Sequence, residues 1–286
     1  MIKMLPRIIR AVIKEHRWLK RLQQLHSWDV IVSDNRYGMF HPQVISVFIT
    51  HQLYIRSGRA AWIDKILQSI NFLFINRFDH CWIPDEPGLN NLAGDLCHGV
   101  LPSNARYIGP LSRFDPNPEK GKGDLLVLLS GPEPQRTLLE GIMAEQLRNH
   151  QVTATIVRGL PGDTDLPQPI DGVKWLNHLP ASDLGKLMAA SEVIVARSGY
   201  STVMDLVRTG NKAILIPTPG QTEQIYLAAY LSLKGVFLSY PQEVFDLGKA
   251  LAAAEGFPFN TMDISFNRHC EVISGLLSEE KKKNEN

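Results

Sequence analysis

Residues 192–206 read EVIVARSGYSTVMDL, and this stretch decides the fold. Val193 to Ala196 are apolar or β-branched and predict a short buried strand. Arg197, Ser198, Gly199, Ser201 and Thr202 follow at once. Val203, Met204, Leu206 and Val207 then recur at helical spacing, and Gly210 stops the helix. A strand that runs through small residues into a helix start is a ready anion site. The first amides of a helix lack internal partners, and the dipole adds about half a positive charge there. Gly199 lets a phosphate approach, Ser201 and Thr202 add hydroxyl donors, and Asp205, about one turn on, can reach a neighbouring hydroxyl such as a ribose. The same pattern also describes an ordinary strand-to-helix turn, so it needs support from the rest of the chain.

That support comes from the flanking sequence. Strands are predicted at 124–129, 152–157, 173–176, 213–216 and 236–238, and helices at 135–149, 182–190 and 221–233, with Ser182 or Asp183 as a cap. Such alternation means a parallel sheet covered on both faces. Upstream, strands are predicted at 29–33, 44–49, 79–84 and 107–111, and helices at 2–25 and 60–74. Residues 112–123, SRFDPNPEKGKG, are rich in Pro, Gly and charge and read as a linker. A last helix is expected from Phe266 to Leu277.

Composition excludes several classes. A net charge of +1 over 286 residues lacks the basic excess of a general nucleic-acid binder. No apolar run reaches the ~18 residues of a membrane span, and no secretion signal is seen at the N-terminus. Cys81, Cys97 and Cys270 are too few for a disulfide framework, which fits a reducing cytoplasm. His80-Cys81 and Cys97-His98 match no zinc knuckle, so buried thiols are expected and no metal ligand is assigned. Residues 2–25 carry seven Lys/Arg against one Glu on an amphipathic pattern, which reads as a surface helix or a peripheral contact with anionic lipid.

Ligands of open parallel sheets sit outside the carboxyl ends of the strands. Three loops of the second half belong there: Ser130-Gly131-Pro132, residues 197–202, and Pro217 to Gln224. A fourth, Asn177 to Pro180, also follows a strand. The run ARSGYSTVMDL followed by KAILIPTPGQTEQ resembles the C-terminal domain of family 28 glycosyltransferases, over roughly residues 124–240. Residues 33–38 (SDNRYG) and 49–52 (ITHQ) resemble bacterial members of that superfamily.

The resemblance implies an α/β fold of two Rossmann-like domains in the GT-B arrangement. The N-terminal one, over 1–111, is incomplete and acceptor-side; the C-terminal one, over 124–262, binds the nucleotide sugar. A closing helix over 263–278 and a disordered tail over 279–286 complete the prediction. It further implies that Ser130 and Gly131 touch a donor phosphate, that Ser198, Gly199, Ser201 and Thr202 hold the diphosphate, and that Arg197 and Gln221 belong to the donor site. Asp205 would bind the ribose. His178 and Leu179 would read uracil through their backbone, and Glu223 and Gln224 would bind the donor sugar. The family's N-terminal Gly-rich loop ending in His has no counterpart here. His51 and Asp34, each at a strand end, are the surrogate catalytic candidates, and Asn35, Arg36 and Gln52 the acceptor-binding ones. The expected activity is inverting transfer of a hexosyl group from a UDP-sugar to a lipid-linked acceptor, without metal or other cofactor. It would occur in the cytoplasm or at the inner face of the membrane. A nucleotide-sugar-binding protein without transfer activity and a sugar-nucleotide epimerase remain as alternatives.

Overall fold

The computed structural model describes residues 5–55, 58, 60–116, 121 and 123–284. The chain divides into two compact units, Met1–Pro110 with Ile264–Asn286, and Leu111–Asp263.

The first unit holds α1 (Leu5–Gln23), β1 (Val30–Asp34), β2 (Ile45–Ile49), α2 (Ala61–Ile75), β3 (His80–Ile83) and β4 (Ala105–Tyr107). Its sheet runs β1-β2-β3-β4 and is parallel throughout. β2 is inside the sheet, and its Ser46, Val47 and Phe48 are all buried. β1 is an edge strand and alternates instead, with Ile31 and Ser33 buried and Val32 outside. α1 buries Val12 and Leu19 and leaves Ile8, Ile9, Ile13 and Trp18 exposed. The loop after β1 lies on α1 so closely that a Cβ at Gly38 would strike the Val12 carbonyl. β4 begins two residues before the predicted strand and ends at that strand's first residue, Tyr107. Beyond Tyr107 the chain turns to pair with the Asp85 carbonyl through Gly109, and Pro110 has no N–H to give. The closing helix spans Arg268–Asn284 and belongs to this unit, so it passes well into the segment expected to be a disordered tail. Residues 285 and 286 lie outside the described residues.

The second unit holds β5 (Leu125–Leu128), α3 (Gln135–Asn149), β6 (Ala154–Val157), β7 (Val173–Leu176), α4 (Ala181–Ala190), β8 (Val193–Ala196), α5 (Tyr200–Thr209), β9 (Lys212–Leu215), α6 (Thr222–Leu233), β10 (Leu238–Ser239) and α7 (Leu247–Gly256). All six strands are parallel, in the order β10-β9-β8-β5-β6-β7. β6 and β8 are buried at every position, as expected of strands covered on both faces. Leu139, Met143 and Leu147 of α3 and Leu247, Ala250 and Ala254 of α7 share one core with them.

α7 was not read from the sequence; its signal is Asp246, whose side chain accepts from the Lys249 amide at 2.9 Å as an N-cap. α4 starts after Pro180 with no side-chain cap, so Ser182 and Asp183 lie in its first turn and do not cap it. The expected linker is split. Residues 117–120 and 122 lie outside the described residues. Ser112 and Phe114 pack within the second unit: the Ser112 hydroxyl donates to Asp205, and Phe114 is buried.

Candidate functional site

Strand order in the second unit reverses between β5 and β8. From β5 the chain moves outward through β6 and β7; from β8 it moves the other way through β9 and β10. The crevice outside the carboxyl ends at such a reversal is where open α/β sheets bind ligands. The two loops that flank it are Ser130-Gly131 after β5 and Arg197 to Gly199 after β8, and the Pro217–Gln221 loop after β9 is next in line.

Side chains fasten these three loops together. Arg197 is 1% exposed. Its guanidinium donates to the carbonyls of Ile216 (3.2 Å), Pro217 (3.3 Å) and Gln135 (2.7 Å), and to Gln242 Oε1 (2.7 Å). Burial pulls its pKa down to about 10. Through its side chain Arg197 therefore braces the crevice from behind. The Ser198 side chain is a second brace. Its buried hydroxyl donates to the Gln224 carbonyl at 2.8 Å and is committed to the protein.

The crevice itself is lined by small and polar groups. Helix α5 begins at Gly199 with no side-chain cap. Its first-turn amides have no carbonyl one turn behind them. Ser201 is exposed and Thr202 half-buried there. Ser130 and Gly131 are exposed opposite, and Gly131 has φ +101°, a conformation a side chain would strain. A Cβ on Gly131 would lie 3.8 Å from Thr218 Oγ1, and one on Gly199 would lie 4.0 Å from Gln224 Nε2. Gln224 Oε1 accepts from the Thr218 amide at 2.9 Å, which aims the amide nitrogen of Gln224 toward Gly199. Gln221 caps α6 by position only, and Glu223 is half-buried in its first turn. Sequence reasoning passed over Thr218. Its hydroxyl is buried and has no partner among the described residues, beside the loop where a ligand would enter.

Asp205 lies on α5, beyond the first turn. Its Oδ1 accepts from Ser112 Oγ at 2.7 Å, and Arg113 Nε lies 3.8 Å from Oδ2. Burial raises its pKa more than Ser112 and Arg113 lower it. His178 is exposed and Leu179 half-buried at the same sheet edge, but after β7, two strands from β5. Between them lies a braced ion network. Glu140 bridges Arg136 (2.7 Å) and Arg158 (2.9 Å), and Arg158 also donates to Asn177 Oδ1 at 2.7 Å.

In the first unit, Asp34 and Ile49 are register partners, so Asp34, Asn35 and Arg36 lie beside His51 and Gln52 at one carboxyl edge. Asp34 accepts from Asn35 Nδ2 at 3.3 Å. Asn35 has φ +53°. Arg36 pairs with Glu15 of α1 at 3.0 Å, and Glu15 also accepts from the Gly38 amide. The Gln52 carbonyl accepts from Asn71, which fixes the turn after β2. Cys81 points into the sheet core, and burial pushes its thiol up to about 12.

This geometry can be set beside known proteins. Residues 140–255 match the glycosyltransferase family 28 C-terminal domain. The family 28 match runs from within α3 to within α7 and so contains the crevice loops after β8 and β9. Over 109 residues the chain is 37% identical to a UDP-N-acetylglucosamine–N-acetylmuramyl-(pentapeptide) pyrophosphoryl-undecaprenol N-acetylglucosamine transferase of Methylorubrum populi. That match takes in 36% of this chain but only 26% of the relative. Among solved structures, the glycosyltransferase of kitacinnamycin superposes with a TM-score of 0.62 at 13% identity, covering 99% of this chain and 80% of its own. MurG of Acinetobacter baumannii gives 0.50 at 14% identity, covering 87% and 70%. These likenesses establish the fold as GT-B, with two Rossmann-like units.

Proposed function

We propose that this chain is a glycosyltransferase that moves a hexosyl group from a UDP-sugar to a lipid-linked acceptor, with inversion and without a metal ion at the diphosphate. One observation carries the reading: the uncapped start of α5 lies at the strand-order reversal, beside Ser130-Gly131, within loops locked by buried Arg197 and Ser198. A departing nucleoside diphosphate gains negative charge in the transition state. Amides already aimed at that position stabilise it without reorganisation. Ser201, Thr202 and the Thr218 hydroxyl add donors, and Gln224 with Glu223 binds the sugar. Asp205 takes the ribose, and the backbone near His178 and Leu179 takes the base at the far end of the nucleotide.

The acceptor hydroxyl must lose a proton, and His51 or Asp34 supplies the base. Asn35, Arg36 and Gln52 position the acceptor. On α1, exposed Ile8, Ile9, Ile13 and Trp18 stand among Lys and Arg side chains, which supports a peripheral contact with an anionic membrane at the cytoplasmic face of a bacterial cell. No helix among the described residues is long and apolar enough to cross a membrane. Nucleic acid has no place in this reading.

The test is a transfer assay with UDP-hexoses and a polyprenyl-pyrophosphate-linked sugar, run beside UDP calorimetry. Acceptor-dependent release of UDP with a new glycosidic bond is expected. UDP binding without turnover of any donor makes the chain a binding protein; UDP with a rearranged sugar and no acceptor makes it an epimerase.

A further inference from the structure

Asp85 follows β3 and is fully buried. Its carboxylate accepts from the amides of Glu86 (2.9 Å), Leu92 (2.8 Å) and Ala93 (3.0 Å). Two side chains converge on its Oδ2: His98 Nε2 at 3.1 Å and Cys97 Sγ at 3.4 Å. On the other side of the imidazole ring, Tyr107 Oη lies 3.2 Å from His98 Nδ1 and 2.9 Å from the Cys97 carbonyl.

Three kinds of ligand atom meet in one largely buried place: the Cys97 sulfur, a His98 ring nitrogen and an Asp85 carboxylate oxygen. As thiolate, neutral imidazole and carboxylate they form a donor set suited to zinc. The three ligand atoms lie within 4.8 Å of one another. Bonds of about 2.0–2.3 Å to a tetrahedral ion separate ligand atoms by roughly 3.3–3.8 Å.

We propose that Asp85, Cys97 and His98 form a binding site for a zinc-class divalent cation. The Tyr107 hydroxyl orients the ring through Nδ1, and the Leu92 and Ala93 amides hold the carboxylate, as outer partners of metal ligands do. The ion displaces the Cys97 thiol proton and takes the Nε2 lone pair of a neutral ring that carries its proton on Nδ1. One thiolate and one carboxylate then balance a 2+ charge in a buried place. The His98 side chain is 19% exposed, which gives the ion a route in. The site's work is structural: it ties residues 84–98 to β4 through Tyr107. It is independent of donor chemistry in the second unit. Sequence spacing hid it because its third ligand is Asp85, twelve positions before Cys97, and not His80-Cys81.

The test uses the full chain, stripped of metal and titrated with Co2+ alone. One equivalent should produce a thiolate-to-cobalt absorption band, absent in Cys97→Ser and weakened in Asp85→Asn. A folded chain that takes up no Co2+, or takes it up without that band, overturns the proposal. As a measurement that does not depend on the variants folding, the native chain is also melted with and without chelator. Removing the ion should lower Tm by about 5 °C or more, reversed by Zn2+. UDP affinity measured on the same samples should stay within a factor of two, which separates failure of this site from failure of the donor-site reading.

Discussion

The hydroxyl of Ser198 donates to the carbonyl of Gln224 at 2.8 Å and so ties the loop after β8 to the first turn of α6. Ser198→Ala leaves that carbonyl without its partner in a buried place. A loss of about 1 kcal/mol is expected in urea unfolding, since a typical hydrogen bond is worth about 0.5–1.5 kcal/mol.

Arg197 makes a stronger demand. Its buried fork serves three carbonyls and Gln242, with no carboxylate bonded to it among the described residues. Arg197→Lys keeps the charge but cannot reach all four acceptors. The substitution should destabilise the chain by about 2–4 kcal/mol in denaturant melts, and UDP affinity should fall with it because the loops lose their brace.

The layout of the second unit was legible because each strand carries an unbroken apolar run and each loop its own Gly or hydroxyls. Val193 to Ala196 and Gly210 marked their element to the residue. Side-chain direction was not legible. Arg197 and Ser198 sit in the loop that a sequence reader assigns to ligand, yet both turn inward, because the switch-point loops need a buried polar brace. Asp85 could not be linked to His98 by spacing, since an irregular segment of the first unit brings them together. α7 was missed because its Ala-rich run lacks a marked apolar stripe, although Asp246 announced its start.

Glu140 holds Arg136 and Arg158 at once. Burial alone would raise its pKa, but the two arginines outweigh that and lower it. A depressed carboxylate stabilises the fold above its ordinary pKa, and that stability is lost as pH falls through the depressed value. Glu140→Gln should cost about 3–5 kcal/mol at pH 7, because two arginines lose their shared counter-ion. The gap to the native chain should shrink below about pH 4.

Asp205 has the opposite sign. Its raised pKa means that ionisation opposes folding, with stability fully present below the ordinary Asp pKa and lost as pH rises through the raised one. Asp205→Asn keeps an acceptor for Ser112 and should unfold at equal or higher denaturant than the native chain at pH 7. The difference should fade below about pH 4. The same variant should bind uridine nucleotides more weakly while sparing inorganic pyrophosphate; equal loss for both would remove the ribose role.

Calorimetry of UDP with the native chain and with the Ser201→Ala, Thr202→Ala double variant bears most directly on the crevice. The account predicts one UDP per chain, and a loss of about 1–3 kcal/mol of binding in the variant with the fold intact. UDP that fails to bind the native chain, or binds both chains equally, would contradict it.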